Sequence, residues 1–154
     1  MIINIKPAVR SQTSEMAEVF RSHNDIYELL PEVSKPNYFD DIISDSLAAA
    51  VVTCDKVVRG VCICNKSQIP DACEVEKIYI TQGYCKKGLG RKLLSYALRE
   101  MRAQRYKSAF IWVEEDNKYA ISFFEKFGFR SDGRKRRSAR KNTETYEKRF
   151  CIDI

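Results

Sequence analysis

Residues Glu74-Val75-Glu76-Lys77-Ile78-Tyr79-Ile80-Thr81-Gln82-Gly83-Tyr84-Cys85-Lys86-Lys87-Gly88-Leu89-Gly90-Arg91-Lys92-Leu93-Leu94 change period midway. Up to Thr81 the stretch alternates, with Val75, Lys77 and Tyr79 on one side and Glu74, Glu76, Ile78 and Ile80 on the other, which is the period of a strand. From Gly88 to about Gln104 the apolar residues are Leu89, Leu93, Leu94, Ala97, Leu98 and Met101, a spacing that keeps them on one helical stripe facing a sheet. A strand therefore runs through a glycine-bearing basic loop into a helix. Free N–H groups at such a helix start, together with its dipole, favour an anion. Lys86, Lys87, Arg91 and Lys92 crowd cations at the positive end of that dipole. Such crowding is unfavourable unless an anion joins it, so a bound phosphate explains the loop better than a solvated basic first turn. Gly88 and Gly90 would let the backbone approach it.

Two common phosphate loops fail on named residues. Gly83 and Gly88 have the separation of a Walker loop, but Leu89 stands where lysine is required. Gly88 and Gly90 fit the start of a dinucleotide fingerprint, but Leu93 holds its third glycine position and no N-terminal βαβ unit surrounds it.

Working outward, Ile2, Ile3 and Ile5 begin a strand that Pro7 ends, and Thr13 to Ser22 reads as a helix capped by Ser11 or Thr13. Pro31 and Pro36 punctuate an irregular stretch from Asn24, and a second helix covers roughly Asn37 to Ser44. Leu47 to Cys54 and Val57 to Asn65 form a hairpin around Asp55-Lys56. After the central helix come a strand over Ser108 to Glu114 and a short helix that Asn117 can cap and Gly128 stops. Two last strands, Phe129 to Arg137 and Thr143 to Ile154, flank a polar, basic turn. The order is β-α-α-β-β-β-α-β-α-β-β, a mixed α/β chain whose first half is antiparallel.

With 154 residues, 44% of them hydrophobic and 31% charged, the chain has the size and apolar content of one folded domain, 1–154, rather than of a disordered chain. Its longest apolar run, Leu47 to Val52, is far short of the roughly 20 residues of a membrane-spanning helix. Met1 to Pro7 lacks the charged start and long apolar stretch of a signal peptide, so a cytoplasmic location is expected. The six cysteines then read as reduced thiols. Cys62 and Cys64 sit in an alternating strand pattern with neither a second close Cys pair nor His ligands, so no metal site is expected. His23 is the only histidine, which argues against a Cys/His or Ser/His pair. The net charge of +6 is concentrated in the last hairpin, between Arg130 and Arg149.

Cys85-Lys86-Lys87-Gly88-Leu89-Gly90 resembles the acyl-CoA-binding motif of the GNAT superfamily of N-acetyltransferases, Arg/Gln-x-x-Gly-x-Gly/Ala, with Cys85 in place of Arg or Gln. A second block, Asn117-x-x-Ala120-Ile121-x-x-Phe124-Glu125-x-x-Gly128-Phe129, resembles the family's Asn-x-x-Ala-Ile-x-Phe/Leu-Tyr-Glu-Lys-x-Gly-Phe, and Phe129 to Arg134 resembles the family's next segment. The order of elements resembles the family's over the whole chain.

The resemblance implies a mostly antiparallel sheet with a central parallel, splayed strand pair and helices on both faces. It implies acetyl-CoA as co-substrate, no metal, and direct acetyl transfer to an amine. The pantetheine arm would pair with the backbone of Ile78, Tyr79 and Ile80, and the pyrophosphate would rest on the N–H groups of Lys86, Lys87, Gly88, Leu89, Gly90 and Arg91. Asn117 would contact the arm, cap the helix, or both. The backbone N–H of Ile80 is a candidate oxyanion donor, and Glu76, ahead of Glu74, is the expected base. Phe124 stands where the family usually has the tyrosine that protonates the leaving thiolate. Tyr119 or Tyr84 could replace it, or the thiolate could leave unassisted.

In such folds the early helices and the last hairpin select the acceptor. Asp25, Tyr27, Glu28 and Glu32 favour an amine, whereas the basic hairpin favours a substrate with negative charge. Two other readings are a catalytically weak acyl-CoA-binding protein and a nucleic-acid-binding protein using Arg134 to Lys141. The second is disfavoured because Tyr146 is the one aromatic near that stretch. The sequence leaves a homodimer open.

Overall fold

The computed structural model describes residues 1–23, 30–85, 87–139 and 144–154. Seven strands form one sheet: β1 (Ile3–Pro7), β2 (Ala48–Cys54), β3 (Val57–Lys66), β4 (Ala72–Ile80), β5 (Ser108–Glu114), β6 (Arg130–Arg137) and β7 (Tyr146–Asp153), in the order β1-β2-β3-β4-β5-β7-β6. Neighbours are antiparallel except β4 and β5, which are parallel. Among the described residues there are four α-helices, α1 (Thr13–Arg21), α2 (Tyr38–Asp45), α3 (Leu89–Ala103) and α4 (Lys118–Phe127). The order of elements is the one expected.

Local chemistry sets the turns. Asp55 and Lys56 both adopt positive φ, 49° and 72°, as a two-residue hairpin turn matched to strand twist requires. Gly128, at φ 124°, stops α4. The expected Ser11 or Thr13 cap of α1 is not there. A 3₁₀ turn over Arg10–Gln12 runs directly into the helix, with Gln12 at the cap position and no side-chain cap bond. The Gln12 side chain instead accepts from Val9 N–H at 3.0 Å.

The sheet separates two cores. Beneath one face Met16, Val19 and Phe20 of α1 meet Val51, Val61, Ile63 and Phe39. On the other, Leu93, Leu94, Ala97 and Met101 of α3 meet Val52, Cys62, Cys64, Cys73 and Val75, joined by Phe124 of α4 and by Phe129. Gly60 lets β3 lie under this layer, because a Cβ there would be 2.6 Å from Ile80 Cδ1 and 2.7 Å from Val52 Cγ1.

The strict alternation expected along β4 is corrected by a bulge. Cys64 pairs with Val75 and Ile63 with Lys77, so Glu76 is an extra residue with no partner of its own on β3. The bulge changes the phase of the strand. Val75 joins Cys73, Ile78 and Ile80 on the α3 face, while Tyr79 packs on the α1 face. Glu74, between Cys73 and Val75, and Lys77, between Glu76 and Ile78, also lie on the α1 side of the strand.

Candidate active site

β4 and β5 pair over only three residues each, Ala72–Glu74 with Ser108–Phe110. Beyond that point β4 continues against β3 as far as Ile80, and β5 against β7 as far as Glu114. The two parallel strands therefore part in the middle of the sheet. Thr81 N–H bonds Arg59 O at 2.8 Å. Alternation then turns the backbone polar groups of Tyr79 toward β3 and those of Ile78 and Ile80 toward the gap. Ile80 O accepts from His23 Nε2 at 2.7 Å and from Cys85 Sγ at 3.7 Å.

At the end of β4 the loop turns through Gly83 (φ 93°) into Gly88 (φ 79°), which holds the cap position of α3 without a side-chain cap. The Lys92 N–H donates to Gly88 O at 3.2 Å. The N–H groups of Leu89, Gly90 and Arg91 precede it and have no acceptor within the helix. With no acidic residue in the first turn, this helix end suits an anion. The Leu89 side chain is buried, so it can offer only its backbone to a ligand. Lys87 Nζ lies 5.3 Å and the Arg59 guanidinium 4.4 Å from the Tyr84 ring centroid, and the Arg91 guanidinium lies 5.2 Å from that of Phe127. Gly90 serves packing as well, since its missing Cβ would lie 3.3 Å from the Phe123 ring of α4. Lys86 lies outside the described residues, as do Asp25, Tyr27, Glu28, Arg140 and Lys141.

Across the gap, Asn117 caps α4, its Oδ1 accepting from Ala120 N–H at 3.1 Å. Tyr119 is exposed in the first turn. Phe124 is a core residue, edge-on to Phe123 and Phe129 with centroids 5.1 and 5.4 Å away.

The carboxylates lie on the α1 side. Glu76 accepts from Asn65 Nδ2 through Oε2 and from Lys77 Nζ through Oε1, the latter at 3.1 Å. Lys77 is 5% exposed, its Nζ also 3.1 Å from Glu32 Oε1 and 5.5 Å from the Tyr38 ring centroid. Burial works against its charge, but Tyr38 and Glu76 beside it prevail and raise its pKa, so it stays an ammonium. Burial raises the pKa of Glu74, with Glu76 and Glu147 adding to the shift and Arg136 opposing it.

The raised Glu74 carboxyl has a signed consequence. A carboxyl that holds its proton more tightly when folded costs stability once it ionises, above the ordinary carboxylate range, and not below it. Glu74→Gln is therefore expected to raise the melting temperature at about pH 7 and to leave it unchanged near pH 3. An equal gain at both pH values, measured by thermal denaturation, would contradict this.

Lys77, Asn65 and His23 were not expected at the site. Lys77 read as one tooth of an alternating strand, and the only hint was a lysine placed among Val75, Ile78 and Tyr79. The cysteines are all free thiols. Burial, with Cys64 nearby, pushes Cys73 up to about 12. Among the described residues no three His, Cys, Asp or Glu side chains gather to hold a metal, and no helix is long and apolar enough to cross a membrane. β6 forms the edge of the sheet with all eight residues exposed. Its basic side chains are in part paired, Lys135 with Glu115 at 2.9 Å and Arg136 with Glu147 at 2.8 Å.

Solved structures share this fold. The N-acetyltransferase of Staphylococcus aureus superposes with a TM-score of 0.80 at 16% identity, covering 99% of each chain. The PaiA N-acetyltransferase of Thermoplasma acidophilum, solved in complex with coenzyme A, gives 0.70 at 17% identity over 97% of this chain and 98% of that one. Residues 16–129 match the acetyltransferase (GNAT) family, and the chain belongs to that family. Among curated proteins, mycothiol acetyltransferase of Corynebacterium glutamicum is 33% identical over 64 residues, which is 42% of this chain and only 22% of that protein.

Proposed function

We propose that the protein transfers the acetyl group of acetyl-CoA to a primary amine of a small molecule or peptide, by direct attack in a ternary complex. The observation that carries this reading is the parting of β4 and β5, which leaves the backbone of Ile78 and Ile80 facing a gap beside an uncapped helix end. The pantetheine arm pairs with the backbone of Ile78, and the Ile80 N–H, whose own carbonyl is held by His23 and Cys85, faces the thioester. The N–H groups of Lys87, Gly88, Leu89, Gly90 and Arg91 take the pyrophosphate, with Lys87 and Arg91 as counter-charge. Cys85, bonded to Ile80 O, fixes the loop to the strand end. Family members act on acetyl-CoA, and the open strand edge and helix end fit that co-substrate.

The amine nitrogen attacks the thioester carbon, the carbonyl oxygen gathers charge near the Ile80 N–H, and the C–S bond breaks. Glu76 takes the proton the amine sheds, directly or through water. Glu74, whose carboxyl burial holds above the usual range, is the second candidate. Phe124 has no proton to give. CoA therefore leaves as thiolate, tolerable for a thiol, or is protonated by Tyr119.

Acetyl-CoA and CoA should each raise the melting temperature, by about 2.7 kcal/mol of added stability at a hundred times Kd. Thiol release should follow on adding spermidine, L-lysine or an alanyl tetrapeptide. Stabilisation without release from any amine would leave an acyl-CoA-binding protein, and no stabilisation by either nucleotide would overturn the proposal.

A further inference from the structure

We propose that Lys77 is a positioning residue of the acceptor side, joining Glu32 of the Pro31–Ser34 turn to Glu76 of the β4 bulge so that one ammonium closes the wall against which the amine binds and fixes the carboxylate that receives its proton. The inference rests on the transferase reading above and on Glu76 as its base.

Lys77 is the one charged side chain buried among the described residues. A buried ammonium with no anion beside it is strongly unfavourable, and this one has two, each 3.1 Å away. The two come from different parts of the chain. Glu76 is the extra residue of the bulge, just past the last β4–β5 pair, Glu74 with Phe110. Glu32 belongs to a 3₁₀ turn before α2. The groups facing the ammonium are Glu32 on that turn, Tyr38 on α2, and Glu76, Glu74 and Tyr79 on β4 itself.

The arrangement orients Glu76 fully. Lys77 holds Oε1 and Asn65 holds Oε2, so the carboxylate cannot turn without losing a donor. Both carboxylates keep a wet side, Glu32 being 38% and Glu76 32% exposed. An acceptor amine can therefore reach Glu76 while Lys77 holds it from beneath. Without the ammonium, Glu32 and Glu76 become like charges no more than about 6 Å apart. The Glu32 turn, which buries Val33 but lies outside the sheet, is the less firmly held side. It holds itself by Val33 N–H to Leu30 O and Lys35 N–H to Glu32 O, each at 3.1 Å, whereas Glu76 is held in the sheet and by Asn65.

The test uses whichever of spermidine, L-lysine and alanyl tetrapeptide the wild type acetylates fastest. Lys77→Met should raise the acceptor KM and lower kcat, each by about tenfold or more, with KM for acetyl-CoA and its thermal shift unchanged. Glu32→Gln, which frees the wall and leaves Lys77 on Glu76, should raise the acceptor KM by about three- to tenfold with kcat within about twofold. Lys77→Arg should restore most of both parameters, and the double variant Glu32→Gln/Lys77→Met should have the acceptor KM of Lys77→Met alone. Amide exchange at Lys35 should quicken in Lys77→Met and in Glu32→Gln.

A Lys77→Met protein that melts lower but keeps the wild-type acceptor KM and kcat would overturn the proposal, as would an equal rise in KM for acetyl-CoA. Should Lys77→Met fail to fold, the kinetics of Glu32→Gln and Lys77→Arg decide the matter, wild-type acceptor KM in Glu32→Gln counting against it. Wild-type rates in Glu76→Gln would remove the base assignment and this proposal together. Loss of activity in Glu76→Gln with a silent Glu32→Gln and Lys77→Met would remove this proposal alone. Were no amine acetylated by the wild type, the transferase reading would fall, while unchanged exchange at Lys35 would independently show that no clamp exists.

Discussion

Glu76→Gln is expected to lower kcat by about 10²–10⁴, the usual contribution of a positioned general base, while leaving the acetyl-CoA-induced rise in melting temperature intact. The two readouts separate because different groups carry them. The proposed cofactor contacts are backbone groups at Ile78 and Ile80, in the gap between β4 and β5, and at the start of α3. Glu76 lies on the α1 side, where Asn65 and Lys77 hold it. Glutamine keeps the shape and can still accept from Lys77, but it cannot take a proton. Glu74→Gln should leave kcat within about threefold, because Glu74 is the last β4 residue still paired with β5 and sits behind the parting. Loss in Glu74→Gln with full activity in Glu76→Gln would exchange the two roles. Full activity in both would exclude both carboxylates, and attention would pass to His23, whose ring already touches Ile80 O.

Most of the architecture could be read because it is written in local period and local chemistry. The apolar stripe of α3, the Asp55-Lys56 turn and the Gly128 stop each depend on a few neighbouring residues. The strand–loop–helix passage around Gly88 was legible for the same reason, since its glycines and basic residues are contiguous. What escaped was non-local. The Glu76 bulge changes no residue type, so the alternation read straight through it and put Val75 on the face of Tyr79. Only the register against Cys64 and Ile63 reveals the extra residue. Lys77 was illegible as a buried cation because its anions are Glu32, far off in sequence, and Glu76, which the bulge turns toward it. Gly90 reads as room for a phosphate, yet the Phe123 ring of α4 also lies 3.3 Å from where its Cβ would be.

Phe129→Ala should cost about 3–5 kcal/mol, the range for emptying a fully buried aromatic site, which for a chain of this size lowers the melting temperature by roughly 6–20 °C. Phe129 has no exposed surface. Its ring lies 5.4 Å from Phe124 and 5.9 Å from Phe127, and its N–H donates to Phe124 O at 2.9 Å. It therefore stands at the joint where α4 ends and β6 begins. The neighbourhood can close only partly over the void. Gly128 is fixed at φ 124°, with Ile152 Cδ1 3.3 Å from where a Cβ would be, and Phe124 is locked between Phe123 and Phe129. The disturbance should travel along that row. Phe123 packs on Gly90 and Phe127 lies under Arg91, so a loosened α4 releases the start of α3 as well. Phe129→Ala is thus expected to weaken acetyl-CoA binding at temperatures where the protein is still folded, whereas Phe129→Leu, with most of the volume kept, should lose less stability and little affinity. Calorimetric melts with and without acetyl-CoA measure both effects. A loss below about 1 kcal/mol would mean that the joint repacks. Full stability loss with unchanged affinity would mean that α4 supports the sheet without setting the loop at the start of α3.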